Sequence, residues 1–142
     1  MDWTERGREI LEKVRRDRKS YTREVLKSRE VLARDAPEYL ELFHKTHMHV
    51  VYERTALPPK IKELIITAVD AAQFYERGLR VHIRGALNEG ATREEVLEAL
   101  LAASLPAGMH ALSVALPIFD EVVEKWEEEK KNAGKGGFST TP

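Results

Sequence analysis

Three features of the sequence predict an all-α fold in a single domain. Apolar residues recur three and four apart along most of the chain, the spacing of one helix face, and no stretch alternates as a half-buried strand would. Breakers are sparse, six prolines and eight glycines in 142 residues, and several of them punctuate the periodic pattern. The length suits one domain with a core of its own.

Thr4 to about Asp17 carries Ile10, Leu11 and Val14 at helical spacing among dense Arg and Glu. Tyr21 to Ala33 continues the pattern with Val25, Leu26, Val31 and Leu32. Asp35-Ala36-Pro37 reads as a helix start, a cap residue followed by proline in the first turn, and the helix it opens should reach about Arg54. Leu57-Pro58-Pro59-Lys60 is the sharpest break, because paired prolines stop one helix and can open the next. Ile61 to Ala72 is strongly apolar (Leu64, Ile65, Ile66, Ala68, Val69), so a buried helix is expected there. Phe74 to Leu87 should form another helix, stopped by Asn88-Glu89-Gly90. Thr92-Arg93-Glu94-Glu95 is a capping box, opening a helix to about Ser104 that Pro106-Ala107-Gly108 breaks. A last helix is expected from about Met109 to Lys131. Residues 1–56 are thus a helical extension on a core of residues 57–131, and the composition of residues 132–142 predicts a disordered tail.

The composition excludes several functions. With no cysteine, the chain has no disulfide, thiolate metal site or thiol nucleophile, and it is not a thiol peroxidase. A formal net charge of −1 does not favour a nucleic-acid footprint or attraction to an anionic membrane. No run approaches the roughly 18 apolar residues of a membrane span. The charged start, MDWTERGREILEK, lacks a secretory core, so a cytoplasmic location is expected. The basic run Lys13 to Arg18 alternates with acids and reads as a solvated helix face or a subunit contact.

The chemistry concentrates between Leu57 and Val123. His82-Ile83-Arg84, then Ala86-Leu87, Gly90-Ala91-Thr92, Glu94-Glu95 and a Gly108 after the following helix resemble the carboxymuconolactone decarboxylase family over about half the chain. In its AhpD-like peroxidase branch a C-x-x-C precedes the histidine and a glutamate lies one helix earlier. His82 and Glu63 match those two residues, whereas Tyr75 and Gly78 stand at the cysteine positions. The decarboxylase branch lacks the cysteines and carries the HxR pattern that His82 and Arg84 reproduce. The resemblance implies an AhpD-like helical bundle, a trimeric or hexameric homo-oligomer, and a lyase acting without a cofactor on a small lactone or carboxylated compound.

Read directly, Tyr75, Gly78 and His82 fall at i, i+3 and i+7, on one helix face. Gly78 leaves room for a ligand there, or else marks close packing of two helices. His82 is suited to acid–base work near neutral pH, with Glu63 orienting it; the alternative is a buried structural pair. Arg84 is placed to hold a substrate carboxylate by a bidentate contact, although Glu76, Arg80 and Arg84 also form the four-spaced row of a solvated face. His110, close after Gly108, is a further substrate-binding candidate. Two rival readings stand beside the decarboxylase. One is a metal-dependent enzyme in which His44, His47 and His49 begin a divalent-metal site, a third ligand coming from Glu63, His82 or His110. The other is a non-catalytic protein that binds small molecules.

Overall fold

The computed structural model describes residues 3–136. Among the described residues there are seven α-helices: α1 (Glu5–Asp17), α2 (Arg23–Asp35), α3 (Pro37–Met48), α4 (Pro59–Ala72), α5 (Glu76–Asn88), α6 (Arg93–Ala107) and α7 (Met109–Gly136), with a π-helical turn, His49–Glu53, between α3 and α4. No strand occurs among the described residues, and no helix is long and apolar enough to cross a membrane.

Local chemistry sets most of the boundaries. Thr4 and Thr22 cap α1 and α2 by accepting from the amides of Gly7 and Val25. Thr92 and Glu95 close the expected capping box, with both bonds at 3.1 Å. Pro37 and Pro59 stand in the first turns of α3 and α4, where a missing N–H costs nothing. Gly90 and Gly108, at φ +94° and +88°, end α5 and α6.

Three expectations need adjusting. Asp35 is the last residue of α2 and pairs with Arg34, while Ala36 precedes α3 without a side-chain cap. Pro106 does not break α6; it lies in the last turn, and the helix runs on to Ala107. The last helix continues past Lys131 to Gly136, so residues 132–136 are helical; the remainder of the expected tail lies outside the described residues.

The helices form two packed groups. In the first, α1, α2 and α3 pack pairwise around Ile10, Leu11, Val14, Ala33 and Leu40. In the second, α4, α5, α7 and α6 form a square in that cyclic order, each helix against the next. The square is filled by Leu79, Ile83 and Leu87 of α5, Val96 and Leu100 of α6, and Leu112, Ile118, Phe119 and Val123 of α7. The spacings of these residues are helical, so each helix presents one apolar stripe inward.

Helix α4 behaves differently. Its buried side chains are Glu63, Thr67, Asp70 and Ala71, whereas Ile65 and Val69 are about half exposed. The expectation of a buried apolar helix holds only in part: Leu64 and Ala71 join the core, while Ile65 and Val69 face outward. Residues 63, 67 and 70 share a face, and the carboxyl groups on that face meet α5.

Candidate active site

The site grows from the antiparallel contact between α4 and α5. On α5, Gly78, His82 and Gly85 lie at i, i+4 and i+7, so one face reads glycine, histidine, glycine. The polar face of α4 fits against it. A methyl group added at Gly85 would lie 2.7 Å from Glu63 Oε2, and one at Gly78 would lie 2.4 Å from Asp70 Oδ2 and 2.5 Å from Tyr75 Cδ1. Each glycine thus makes room for one carboxyl group of α4, with the imidazole between them.

The central contact is short and buried. His82 Nδ1–H donates to Glu63 Oε2 at 2.8 Å across nineteen residues of sequence. Glu63 is 2% exposed, and Thr67 Oγ1 donates to its carbonyl at 2.8 Å. A carboxylate only accepts, so this contact fixes the ring tautomer and leaves Nε2 available for a substrate proton. Asp70, one turn beyond Thr67, has an Oδ2 with no hydrogen-bond partner. Burial pushes its carboxyl up to about 6, with His82 opposing and Glu63 adding to the shift.

The α1–α3 group closes the site from the other side. Arg18 ends α1 and is only 4% exposed. Its Nη1 donates to His47 Nε2, so His47 serves as a neutral acceptor. Burial first, then the neighbouring Arg18 guanidinium, holds His47 down at about 3. Two cavities flank this assembly. The smaller, about 90 Å³, is bounded by His82, His47, Tyr75 and Gly78 together with Arg18 and Arg29. The larger, about 610 Å³, reaches Glu63, Gly85 and Arg84 and shares Arg18 with the first. Tyr52 lines it as well; its hydroxyl donates to Glu89 at 2.9 Å, and burial with this contact raises the phenol to about 12.

The residues singled out in the sequence separate into two sets. Glu63, His82, Tyr75 and Gly78 come together. Tyr75, however, lies just before α5 rather than within it, after Phe74 at φ +55°, and its ring is half exposed at the cavity mouth. A side chain at Gly78 would meet the Asp70 carboxyl and the Tyr75 ring, so the glycine serves close packing while also bordering the smaller cavity. Arg84 turns away from His82, pairs with Glu129 of α7 and lines the larger cavity. His110 is exposed in the first turn of α7 and lines neither cavity.

The three clustered histidines diverge. His44 is buried against Asp17 at 2.9 Å, His47 meets Arg18, and His49 faces Glu53 at 2.8 Å. Among the described residues, no three His, Asp or Glu side chains converge as metal ligands. Arg18, whose basic run reads as a solvated face or a subunit contact, is buried within the chain, and no local pattern announces that. Asp70 and Gly85 did have a signal. Asp70 stands seven residues beyond Glu63, and Gly85 stands three beyond His82, each on the face already identified.

Comparison with known proteins shows the family and the fold. The carboxymuconolactone decarboxylase family matches residues 37–121, so the match begins within the α1–α3 group and ahead of the double proline. Over 72 residues, 51% of this chain, the sequence is 38% identical to a 4-carboxymuconolactone decarboxylase of Acinetobacter baylyi, of which 54% is covered. It is also 38% identical over 77 residues to uncharacterized protein 4 of the cox locus of Paracoccus denitrificans, covering 68% of that protein. The chain spans about half the length of the Acinetobacter relative. A crystal structure from Burkholderia xenovorans LB400, described provisionally as a carboxymuconolactone decarboxylase, superposes with a TM-score of 0.71 at 26% identity, covering 91% of this chain and 98% of that one.

Proposed function

This chain belongs to the carboxymuconolactone decarboxylase family, and on that premise we propose that it is a cofactor-independent carboxy-lyase acting on a small lactone or other carboxylated compound by acid–base chemistry at His82. The observation that carries the reading is the buried Glu63–His82 contact, which leaves one imidazole nitrogen available beside a cavity. Decarboxylation breaks the C–C bond to the carboxylate. Carbon dioxide leaves, and the electron pair spreads onto a conjugated carbonyl. The imidazolium form of His82 then gives its Nε2 proton to the carbanionic carbon and regains one from water. Before the transfer, the Glu63 carboxylate orients the ring and stabilises its charge. Tyr75, at the mouth of the same cavity, is placed to donate to a developing oxyanion.

The same reading includes a homo-oligomer, trimeric or hexameric. Ile65 and Val69 of α4 and Leu101 and Leu105 of α6 are 44–86% exposed on two helices that pack together, and such apolar surface favours association.

The test is release of carbon dioxide from a panel of small carboxylated lactones, 4-carboxymuconolactone among them. Turnover of at least one compound is expected, with His82→Ala reducing it by roughly 10²–10⁴-fold while the far-UV circular dichroism stays unchanged. Wild-type rates in His82→Ala, or no turnover of any compound by the wild-type protein, would overturn the proposal.

A further inference from the structure

The smaller cavity carries a charge problem that the catalytic reading leaves unexplained. Arg18 and Arg29 both line it. Both guanidinium groups lie over the ring of Tyr21, at 4.7 and 5.1 Å from its centroid. Neither is paired with a carboxylate among the described residues. Asp17 is engaged with His44, Glu30 with Arg15 and Glu63 with His82, and the buried Asp70 Oδ2 bonds neither guanidinium. Two cations around one ring, one of them almost fully buried, repel each other and are costly to hold without an anion.

The unused donors define what would relieve this. Nη1 of Arg18 is taken by His47, and Arg29 donates to Ser28 Oγ at 2.9 Å and Tyr21 Oη at 3.4 Å. Nε and Nη2 of Arg18 and Nε of Arg29 are buried and have no partner. Nε and Nη2 are the two nitrogens on the guanidinium edge facing away from Cδ. Their N–H groups run parallel, as a planar carboxylate requires for two bonds at once. His47, which offers a single acceptor atom to Nη1, does not satisfy that fork.

We propose that the cavity between Arg18, Arg29 and His82 is a carboxylate-binding subsite, with the free edge of Arg18 as its bidentate clamp and Arg29 as a second donor. This moves the substrate-anchoring role from Arg84, which is committed to Glu129, to a residue of the α1–α3 group. Because Arg18 also lines the larger cavity, a ligand held by its carboxylate at Arg18 has room there for the rest of its body. The α1–α3 group is then part of the binding site and not an accessory to the bundle. The subsite rests on the decarboxylase reading only for the identity of the natural ligand.

Binding is therefore tested without turnover. The full chain, labelled with ¹⁵N at arginine, is titrated with acetate and propionate, and with acetamide and propionamide as uncharged counterparts. The Arg18 Nε–H resonance is expected to move with the acids and not with the amides, and only the acids should raise the melting temperature. Arg18→Met and Arg18→Lys should each weaken acetate binding by at least tenfold, about 1.4 kcal/mol, since lysine keeps the charge but not the fork. His110→Ala, which lines neither cavity, should bind acetate as the wild type does.

Several results would overturn the subsite. One is no movement of Arg18 Nε–H at about 100 mM acetate, a concentration far above millimolar binding. Equal movement with the amides would do the same. So would undiminished acetate affinity in Arg18→Met, which would mark an adventitious ion only. The wild-type titration decides the matter even where a variant fails to fold. If acetate binds at Arg18 but no carboxylated compound loses carbon dioxide, the subsite stands and the lyase falls. If Arg18→Met decarboxylates with an unchanged KM, the lyase stands and the subsite falls.

Discussion

Gly85→Ala is the sharpest probe of how the site is held together. In an isolated helix this change is favourable by about 1 kcal/mol. Here the new methyl carbon would stand 2.7 Å from Glu63 Oε2 and 3.0 Å from its Cδ, too close for either atom to stay. The Glu63 side chain has little space to retreat into, being 2% exposed on the packed face of α4. Overpacking of this kind costs about 1–3 kcal/mol. Losing the 2.8 Å contact to His82 adds about 1.5–3 kcal/mol if it carries charge. After the helix-propensity gain, the net loss is about 1.5–5 kcal/mol, readable as a lowered urea midpoint at pH 7 with an unchanged slope. The decisive comparison is the same substitution in a Glu63→Ala background, where the obstructing carboxyl is gone. There Gly85→Ala should be neutral or stabilising by up to about 1 kcal/mol. Equal destabilisation in both backgrounds would refute the claim that Gly85 exists to seat Glu63.

Two pH-dependent predictions accompany it. Asp70 has a folded-state pKa raised from 3.8 to about 6 by burial, so its stabilising contribution is present below pH 3.8 and is lost as the pH rises through 6. Asp70→Asn should therefore be more stable than the wild type at pH 8 by about 1–2 kcal/mol, allowing for solvent screening, with the advantage gone at pH 4; the same difference in urea midpoint at both pH values would rule this out. His47 is shifted the other way, from 6.5 down to about 3, so stability present above pH 6.5 is lost as the pH falls toward 3. His47→Gln keeps an acceptor for Arg18 but removes the titration, and should retain about 2–3 kcal/mol more of its neutral-pH stability at pH 4 than the wild type does. Parallel acid unfolding curves for the two proteins would contradict the assignment of His47 as a buried neutral acceptor.

Much of the framework was legible because it is written in neighbouring residues. Thr92 and Glu95 satisfy each other's amides three positions apart, and Pro59 and Gly90 bound helices by their own backbone chemistry. The Glu63–His82 contact was legible only through the family resemblance, since nineteen residues of sequence give no local reason for the two to meet. Arg18 was not legible at all. Within Lys13 to Arg18 it is one cation among several, and it is the end of α1, turned inward toward His47, that removes it from water. Arg84 lines the larger cavity and pairs with Glu129. It belongs to the HxR pattern, but on α5 it lies two positions from His82, and side chains two apart on a helix do not share a face.

The orientation of α4 ties these points together. An isolated chain gains by burying Ile65 and Val69, about 25 cal/mol for each Å² of apolar surface removed from water, and loses by burying Glu63 and Asp70. The fold does the reverse, with Ile65 and Val69 about half exposed and both carboxyl groups inside. Such an arrangement is tolerable where the buried acids meet specific partners. Glu63 does so at His82, while Asp70 Oδ2 has none, and burial raises the pKa of its carboxyl. The glycines of α5 are the other half of the arrangement, because any side chain at 78 or 85 would occupy the space these carboxyl groups need. The polar face of α4, the two glycines and the buried end of α1 are each unfavourable alone. They are consistent as one device: a titratable cluster held out of water beside an unneutralised arginine, its stability supplied by the apolar packing of the bundle around it.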